Sequence, residues 1–161
     1  MKRFFAILIA LMLLALPALA ETAPADPFDY VEDALQDGTL VYSFQDLSLR
    51  LPADWGEKVL VLRDEGGVSF YQKASYEKYQ EEGIEGGGFL FSLAASVNTD
   101  YRDILPSYEE LGFSEPAAMH YYLVTPSDYP AWIGDEDIRA EWDGMYAQIA
   151  EYIVPNAELY E

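Results

Sequence analysis

YSFQDLSLRLPADW, residues 42–55, is the most regularly patterned stretch of the chain. Apolar and polar side chains alternate along it, which is typical of a half-buried β-strand. The alternation slips by one residue between positions 45 and 46. A strand with a bulge at that point explains the slip, and so does a tight hairpin that pairs Tyr42 with Leu49. Pro52 ends the strand, because its nitrogen has no hydrogen to donate.

The remaining elements are predicted from the spacing of apolar residues. Strands are predicted at residues 58–63, 68–71, 89–96 and 119–124. Helices are predicted at residues 27–36, 73–82 and 134–154, with two short helical turns within residues 98–112. The strand at 58–63 is apolar without interruption, which is typical of a strand covered on both faces.

The order of these elements predicts an α+β fold. We expect an antiparallel sheet of about six strands with helices packed on it, and a long amphipathic C-terminal helix. Apolar residues recur along that helix at spacings of three and four, at Ile138, Trp142, Met145, Ile149 and Tyr152. This stripe is expected to pack on the sheet.

The N-terminus has the three parts of a secretory signal peptide. Lys2 and Arg3 precede an apolar run, and Ala18-Leu19-Ala20 resembles a cleavage site. We therefore predict a signal peptide at 1–20, a disordered leader at 21–26 and a single α+β domain at 27–161. An uncleaved N-terminal anchor is the alternative. The mature protein is predicted to be secreted or extracytoplasmic, away from the membrane once the signal is removed.

The composition limits the chemistry of the protein and its partners. There is no cysteine, which excludes disulfides, thiolate nucleophiles and thiolate metal sites. The net charge is −20, with 29 acidic and 9 basic residues. Nucleic acid and anionic membranes are disfavoured as partners because both are polyanions. Cationic partners, divalent cations and simple solubility are all compatible with this charge.

The segment at residues 47–55, LSLRLPADW, resembles the strand–proline–tryptophan element of the PsbP-like family. The hairpin through residues 68–70 and the long last helix follow the same order. That family includes the photosystem II extrinsic subunit and a nuclear-import factor that binds a small GTPase. The resemblance implies an α/β/α sandwich that binds partners and does not catalyse reactions, and no family catalytic residue maps onto this chain. The chain also resembles small exported proteins of uncharacterised function from Gram-positive anaerobes.

Aromatic residues in predicted turns are the candidate binding residues. Trp55, Tyr129 and Trp132 lie beside prolines, where exposed rings stack on sugars or grip a partner segment. The alternative is that they cap the core. His120 is the only histidine, and no serine lies in a glycine-flanked turn, so a Ser-His-Asp triad is not indicated.

Acidic residues are densest at the start of the last helix. Asp135, Asp137 and Glu141, followed by Asp143, offer the oxygen ligands that Ca²⁺ prefers. The alternative is electrostatic, because acids at a helix N-terminus are favoured by the helix dipole and Asp135 suits the capping position. The spacing does not match an EF-hand loop.

Together these observations predict a small exported, non-catalytic domain that binds another protein at the cell envelope. One alternative is a module that binds a glycan or Ca²⁺ through the loop aromatics or the acidic cluster. Another is a hydrolase that works with carboxylates alone. No cofactor other than Ca²⁺ is indicated, the partner is an unknown protein or glycan, and the oligomeric state stays open.

Overall fold

A computed structural model describes residues 27–64, 67–97, 105 and 107–160 of the chain. The predicted signal peptide (1–20) and leader (21–26) lie outside the described residues. The structure confirms the α+β class, with antiparallel sheets and a C-terminal helical region of about 21 residues. No helix in the described part of the chain has the length and apolar character needed to cross a membrane.

Within the described residues, nine strands form two sheets of four and five strands, where the sequence predicted one sheet of about six. The strands are β1 (Val31–Ala34), β2 (Leu40–Ser43), β3 (Leu47–Leu51), β4 (Val59–Asp64), β5 (Gly67–Gln72), β6 (Phe89–Ser96), β7 (Tyr108–Ser114), β8 (Met119–Val124) and β9 (Glu158–Leu159). The α-helices are α1 (Lys73–Glu81) and α2 (Glu136–Gln148). The smaller sheet has the order β1-β2-β3-β9 and the larger β4-β5-β6-β8-β7.

The opening stretch forms the β2–β3 hairpin. Tyr42 pairs with Leu49, as the hairpin alternative predicted. The Phe44 N–H donates to the Leu47 carbonyl at 2.7 Å across the turn. The slip in the alternation is therefore the turn itself. A short 3₁₀ segment, Ala53–Lys58, then leads into β4.

One hydrophobic core joins the two sheets and the C-terminal helical region. Tyr42 of the smaller sheet meets Phe70 of the larger edge-to-face, with ring centroids 5.4 Å apart. Phe70 stacks on Phe91 at 4.3 Å. Trp142 of α2 is buried in the same cluster, with 3% of its surface exposed. Aromatic burial on this scale supplies the main stabilising term in a chain without disulfides.

The C-terminal stripe packs on the core, with a change of phase at its end. Trp142, Met145 and Ile149 are buried as predicted, but Tyr152 is only half-buried, and Ile153 is fully buried in its place. The cause is a π-helical turn at Ile149–Ile153, which follows α2 directly. A π turn contains more residues than an α turn, so it moves the inward face along by one position.

The prediction of a helix at residues 27–36 is wrong. Part of this segment, Val31–Ala34, forms β1 and pairs with β2. Tyr30 still reaches the core, because its ring lies 5.3 Å from that of Tyr42. Strand pairing satisfies the backbone of a segment whose apolar residues are too few for a stable isolated helix. Gly38, at φ +89°, closes the turn into β2.

Two further predictions need correction. The prediction of helical turns is wrong for residues 108–112, which belong to the edge strand β7; residues 98–104 and 106 of that prediction lie outside the described residues. β4 is the opposite edge of the larger sheet, and residues 59–62 are half-buried, not covered on both faces. β6 is central, as its apolar run predicts.

Candidate functional site

One face of the larger sheet points away from the core and carries an aromatic cluster at one end. Tyr71 pairs with Phe89 across β5 and β6, and their rings lie 5.6 Å apart. Tyr76 of α1 adds a third ring, 5.3 Å from that of Tyr71. Alternation places Tyr71 on this face, because its neighbours Phe70 and Gln72 are fully buried on the other.

A second aromatic cluster lies where the chain leaves β8 and meets α2. Tyr129 is 48% exposed and packs edge-on against Trp142 at 5.0 Å. Tyr146, one helical turn beyond Trp142, stacks on that indole at 4.8 Å. The Trp142 indole N–H donates to the Phe89 carbonyl at 3.3 Å, which ties the second cluster to the first.

These two clusters line three neighbouring surface hollows that share lining residues, and we call this surface the aromatic groove. The hollows measure about 480, 350 and 310 Å³. Tyr71 and Gly86 belong to both the first and the second hollow, and Pro126 and Asp128 belong to both the second and the third. The remaining lining residues are Leu62, Tyr76, Gln80, Glu85, Phe89, Ser127, Pro130, Tyr129, Trp142, Asp143 and Tyr146.

The charge along the aromatic groove has one sign. Among the described residues, three carboxylates line it, from Glu85, Asp128 and Asp143, and no lysine, arginine or histidine does. The Tyr129 hydroxyl donates to Asp143 Oδ1 at 2.7 Å. Partial desolvation, and then this hydrogen bond and the carboxylate charge, raise the pKa of Tyr129 to about 12. The phenol therefore stays protonated at neutral pH.

A buried polar pair, Gln72 and Ser75, holds the segments that form the groove; we call it the buried polar hub. Both side chains are fully buried. Ser75 Oγ donates to Gln72 Oε1 at 2.5 Å and accepts from the Trp132 N–H at 2.9 Å. Gln72 Nε2 donates to the Ile138 carbonyl at 2.9 Å, which links β5 to α2. Satisfied buried networks of this kind fix one arrangement of the surrounding backbone.

The backbone beside the buried polar hub is equally constrained. The Gln72 N–H donates to the Gly88 carbonyl, and the Gly88 N–H donates to the Pro130 carbonyl, both at 2.7 Å. Gly88 has φ +77°, and a Cβ there would lie 2.7 Å from the Gln72 carbonyl oxygen. Close backbone contact therefore fixes Gly88 next to Phe89 and Pro130, which line the second hollow, and only glycine permits this contact.

The three predicted aromatic binding residues have different positions. Trp55 is fully buried, and its indole N–H donates to Gln148 Oε1 at 2.5 Å, so its ring belongs to the core. Trp132 is half-buried and packs edge-on against Tyr79 of α1, with ring centroids 5.0 Å apart. Of the three, Tyr129 alone lines the aromatic groove.

The acidic residues of the last helix are held by other contacts. Asp135 caps α2, because its Oδ1 accepts from the N–H groups of Asp137 at 2.9 Å and Ile138 at 3.2 Å. Glu141 accepts from Gln72 Nε2 at 3.0 Å and pairs with Lys58 Nζ at 3.4 Å. In the described chain, no three histidine or acidic side chains converge into a group that could hold a metal ion. Calcium binding therefore stays a prediction without structural support.

His120 lies on the outer face of β8, on the opposite side from Tyr121 and Leu123 of the core, as the alternation predicts. Its Nδ1 lies 3.2 Å from Glu110 Oε1 on the neighbouring strand β7. A separate cleft of about 720 Å³ lies near the C-terminus, lined by Phe113, Glu115, Pro116, Leu159 and Tyr160. It shares no residue with the aromatic groove.

No protein-family model, curated protein or solved structure matches this chain. The resemblance to the PsbP-like family therefore stays a prediction, which none of these comparisons supports.

Proposed function

We propose that the protein is a small exported, non-catalytic domain that binds an extended segment of a partner protein in the aromatic groove. The observation that carries this proposal is that neighbouring hollows share lining residues, so the three hollows lie side by side on the surface. An extended chain places successive side chains in successive hollows, whereas a compact small molecule fills only one. The signal-like pattern at residues 1–20 supports export.

The groove lining favours a peptide of low conformational freedom. Tyr71, Phe89 and Tyr129 offer rings beside Pro126 and Pro130, and aromatic surfaces of this kind bind extended, proline-containing segments. Such segments lose little entropy on binding because proline already restricts them. Tyrosine and tryptophan are also enriched among the few residues that dominate the binding energy of protein interfaces.

The proposal is tested by selecting ligands from a displayed library of random twelve-residue peptides with the full chain. We expect selected peptides to be extended and rich in proline and aliphatic residues. Tyr129→Ser should weaken their binding by roughly tenfold, as expected for an interface aromatic worth more than 1 kcal/mol. Tyr160→Ser is the matched control, because Tyr160 is 43% exposed but lines the separate C-terminal cleft.

Two results would overturn the proposal. One is that no peptide is selected. The other is that Tyr129→Ser and Tyr160→Ser weaken binding equally, which would place the site elsewhere. A parallel panel of neutral oligosaccharides addresses the glycan alternative: saturable oligosaccharide binding that Tyr129→Ser abolishes, without peptide binding, would assign the groove to glycans.

A further inference from the structure

We propose that the aromatic groove selects a segment with a lysine or arginine between two apolar residues, and that Asp128 recognises this cationic side chain. The inference rests on the proposed function, because it names the chemistry of the segment that the same groove would hold. It is carried by the position of Asp128 and by the charge of the lining.

Asp128 lies at the centre of the binding surface. It lines both the second and the third hollow, so it stands where a bound segment would pass from one to the other. The residue is exposed and forms no hydrogen bond or ion pair with any described residue. Asp143, in contrast, already accepts the Tyr129 hydroxyl. Of these two carboxylates, Asp128 is the one with its full bonding capacity available to a ligand.

The surfaces on either side of Asp128 are apolar. Tyr71 and Phe89 lie on one side, and Tyr129 and Tyr146 lie on the other. Apolar side chains in both hollows would exclude water from the carboxylate between them. An ion pair is weak when fully hydrated and gains strength as water is displaced. The aromatic faces also attract the cationic head group itself.

Charge complementarity decides between a cationic and an anionic occupant. The lining residues that the structure describes include three carboxylates and no basic residue, and the chain as a whole carries a net charge of −20. Arg139 of α2 lies near enough to Tyr129 for its charge to oppose the rise in the pKa of that phenol. Its guanidinium pairs with Glu136 at 3.7 Å and lines none of the three hollows. The carboxylates of the lining would therefore repel an acidic segment, whereas a basic segment would be attracted and steered towards the groove.

The test uses the best peptide from the random library, resynthesised with each lysine or arginine replaced by norleucine or by glutamate. Norleucine keeps the length of lysine without its charge. We expect the norleucine peptide to bind about three- to tenfold more weakly, as for an ion pair at a partly dry surface, and the glutamate peptide more weakly still. Titration is followed by tryptophan fluorescence, since Trp142 lines the third hollow.

Asp128→Asn should remove the preference for lysine over norleucine, because the neutral amide at this position no longer pairs with the ammonium group. Asp33→Asn is the control: it makes the same chemical change on the exposed strand β1, outside the groove, and should keep the preference. Selected peptides without basic residues, or an Asp128→Asn variant that still prefers lysine, would overturn the inference and leave the proposed function standing. A library that yields no ligand would overturn both.

Discussion

At Trp55 the indole ring is wholly buried, and its single polar hydrogen is used within the molecule. The N–H donates to Gln148, whose own amide donates to Asp54 Oδ1 at 3.4 Å. A buried indole without a partner would cost about 1–3 kcal/mol, so this contact also fixes the corner after Pro52 against the last helix. The sequence left open whether Trp55 packs or faces a partner, and its burial places the ring in the core.

Tyr121 provides a prediction about pH. Its ring is fully buried, and its hydroxyl donates to Asp46 Oδ2 at 3.4 Å. Burial, and then the charge and hydrogen bond of Asp46, raise the pKa of Tyr121 to about 12 from its ordinary value of 10.0. The folded state therefore holds the phenol proton more tightly than the unfolded chain does. The contribution of this proton to the free energy of unfolding is intact below pH 10 and is lost as the pH rises towards 12.

We therefore expect the free energy of unfolding to fall between pH 10 and 12, and to fall less in Tyr121→Phe. At pH 8 the variant should lose roughly 1–2 kcal/mol, because the buried Asp46 keeps no phenol partner. Urea denaturation at pH 8, 10 and 11.5 measures both effects. Tyr160→Phe, at an exposed tyrosine, should behave as the wild type. An equal fall in Tyr121→Phe and wild type would show that another group titrates.

At the scale of the element, the sequence predicted strands and helices correctly where the local periodicity of apolar residues agrees with their burial. The hairpin of β2 and β3, the central strand β6, the helix α1 and the capped helix α2 all follow from their patterns. β1 and β7 did not, because both are edge strands with few inward residues. β7 carries Glu109 and Glu110 near its start. Adjacent acidic residues are more typical of a polar turn than of a strand, and only the pairing with β8 identifies this segment as a strand.

The aromatic groove could not be predicted from spacing. Tyr129 was identified because it follows a turn, but Tyr71 and Phe89 have the pattern of ordinary strand residues. Trp142 belongs to the core stripe of α2 and is 3% exposed, yet its edge lines the third hollow. The groove combines residues of β4, β5, β6, α1 and α2 with the segments after α1 and after β8, and only the tertiary structure brings these together. Gln72 and Ser75 gave no signal at all, since a buried polar pair looks like any surface pair in sequence.

The segment between α1 and β6 provides a prediction with an internal control. Gly88 and Gly83 both have positive φ, at +77° and +70°. A Cβ on Gly88 would lie 2.7 Å from the Gln72 carbonyl oxygen and 2.8 Å from the Tyr76 nitrogen, whereas a Cβ on Gly83 would meet nothing within 4 Å. Gly83→Ala should cost about 1 kcal/mol for the left-handed conformation alone.

Gly88→Ala should cost that amount and roughly 1–3 kcal/mol more, because backbone atoms must move. Thermal or urea unfolding of the two variants measures the difference between their losses of stability. Because both glycines have positive φ, this difference is the cost of the steric clash alone. Equal losses would show that the segment between α1 and β6 yields easily and that the buried polar hub does not constrain it. Peptide binding should fall in Gly88→Ala and persist in Gly83→Ala.

At the scale of the whole molecule, the dominant property is the net charge of −20 on 161 residues. Like charges at this density oppose folding by mutual repulsion. Added salt screens that repulsion, since the Debye length falls from about 30 Å at 0.01 M to about 8 Å at 0.15 M. The same charge would disfavour anionic partners at any surface, which agrees with the sign of the groove lining.

Comparison of sodium and calcium separates this general repulsion from a specific site. Raising NaCl from 10 to 200 mM should increase the free energy of unfolding by roughly 1 kcal/mol, seen as an increase of about 2–4 °C in Tm. CaCl₂ at the same ionic strength should add little, because Asp135 caps α2 and Glu141 is paired with Lys58. A ligand that binds only the folded state must stabilise it, so a saturable increase with calcium beyond the sodium curve would establish a cation site. Asp135→Asn keeps a capping oxygen and removes a charge, so it tests whether such a site includes the start of α2. A variant that loses the calcium-dependent increase in Tm, but is as stable as the wild type in NaCl, would place the site there.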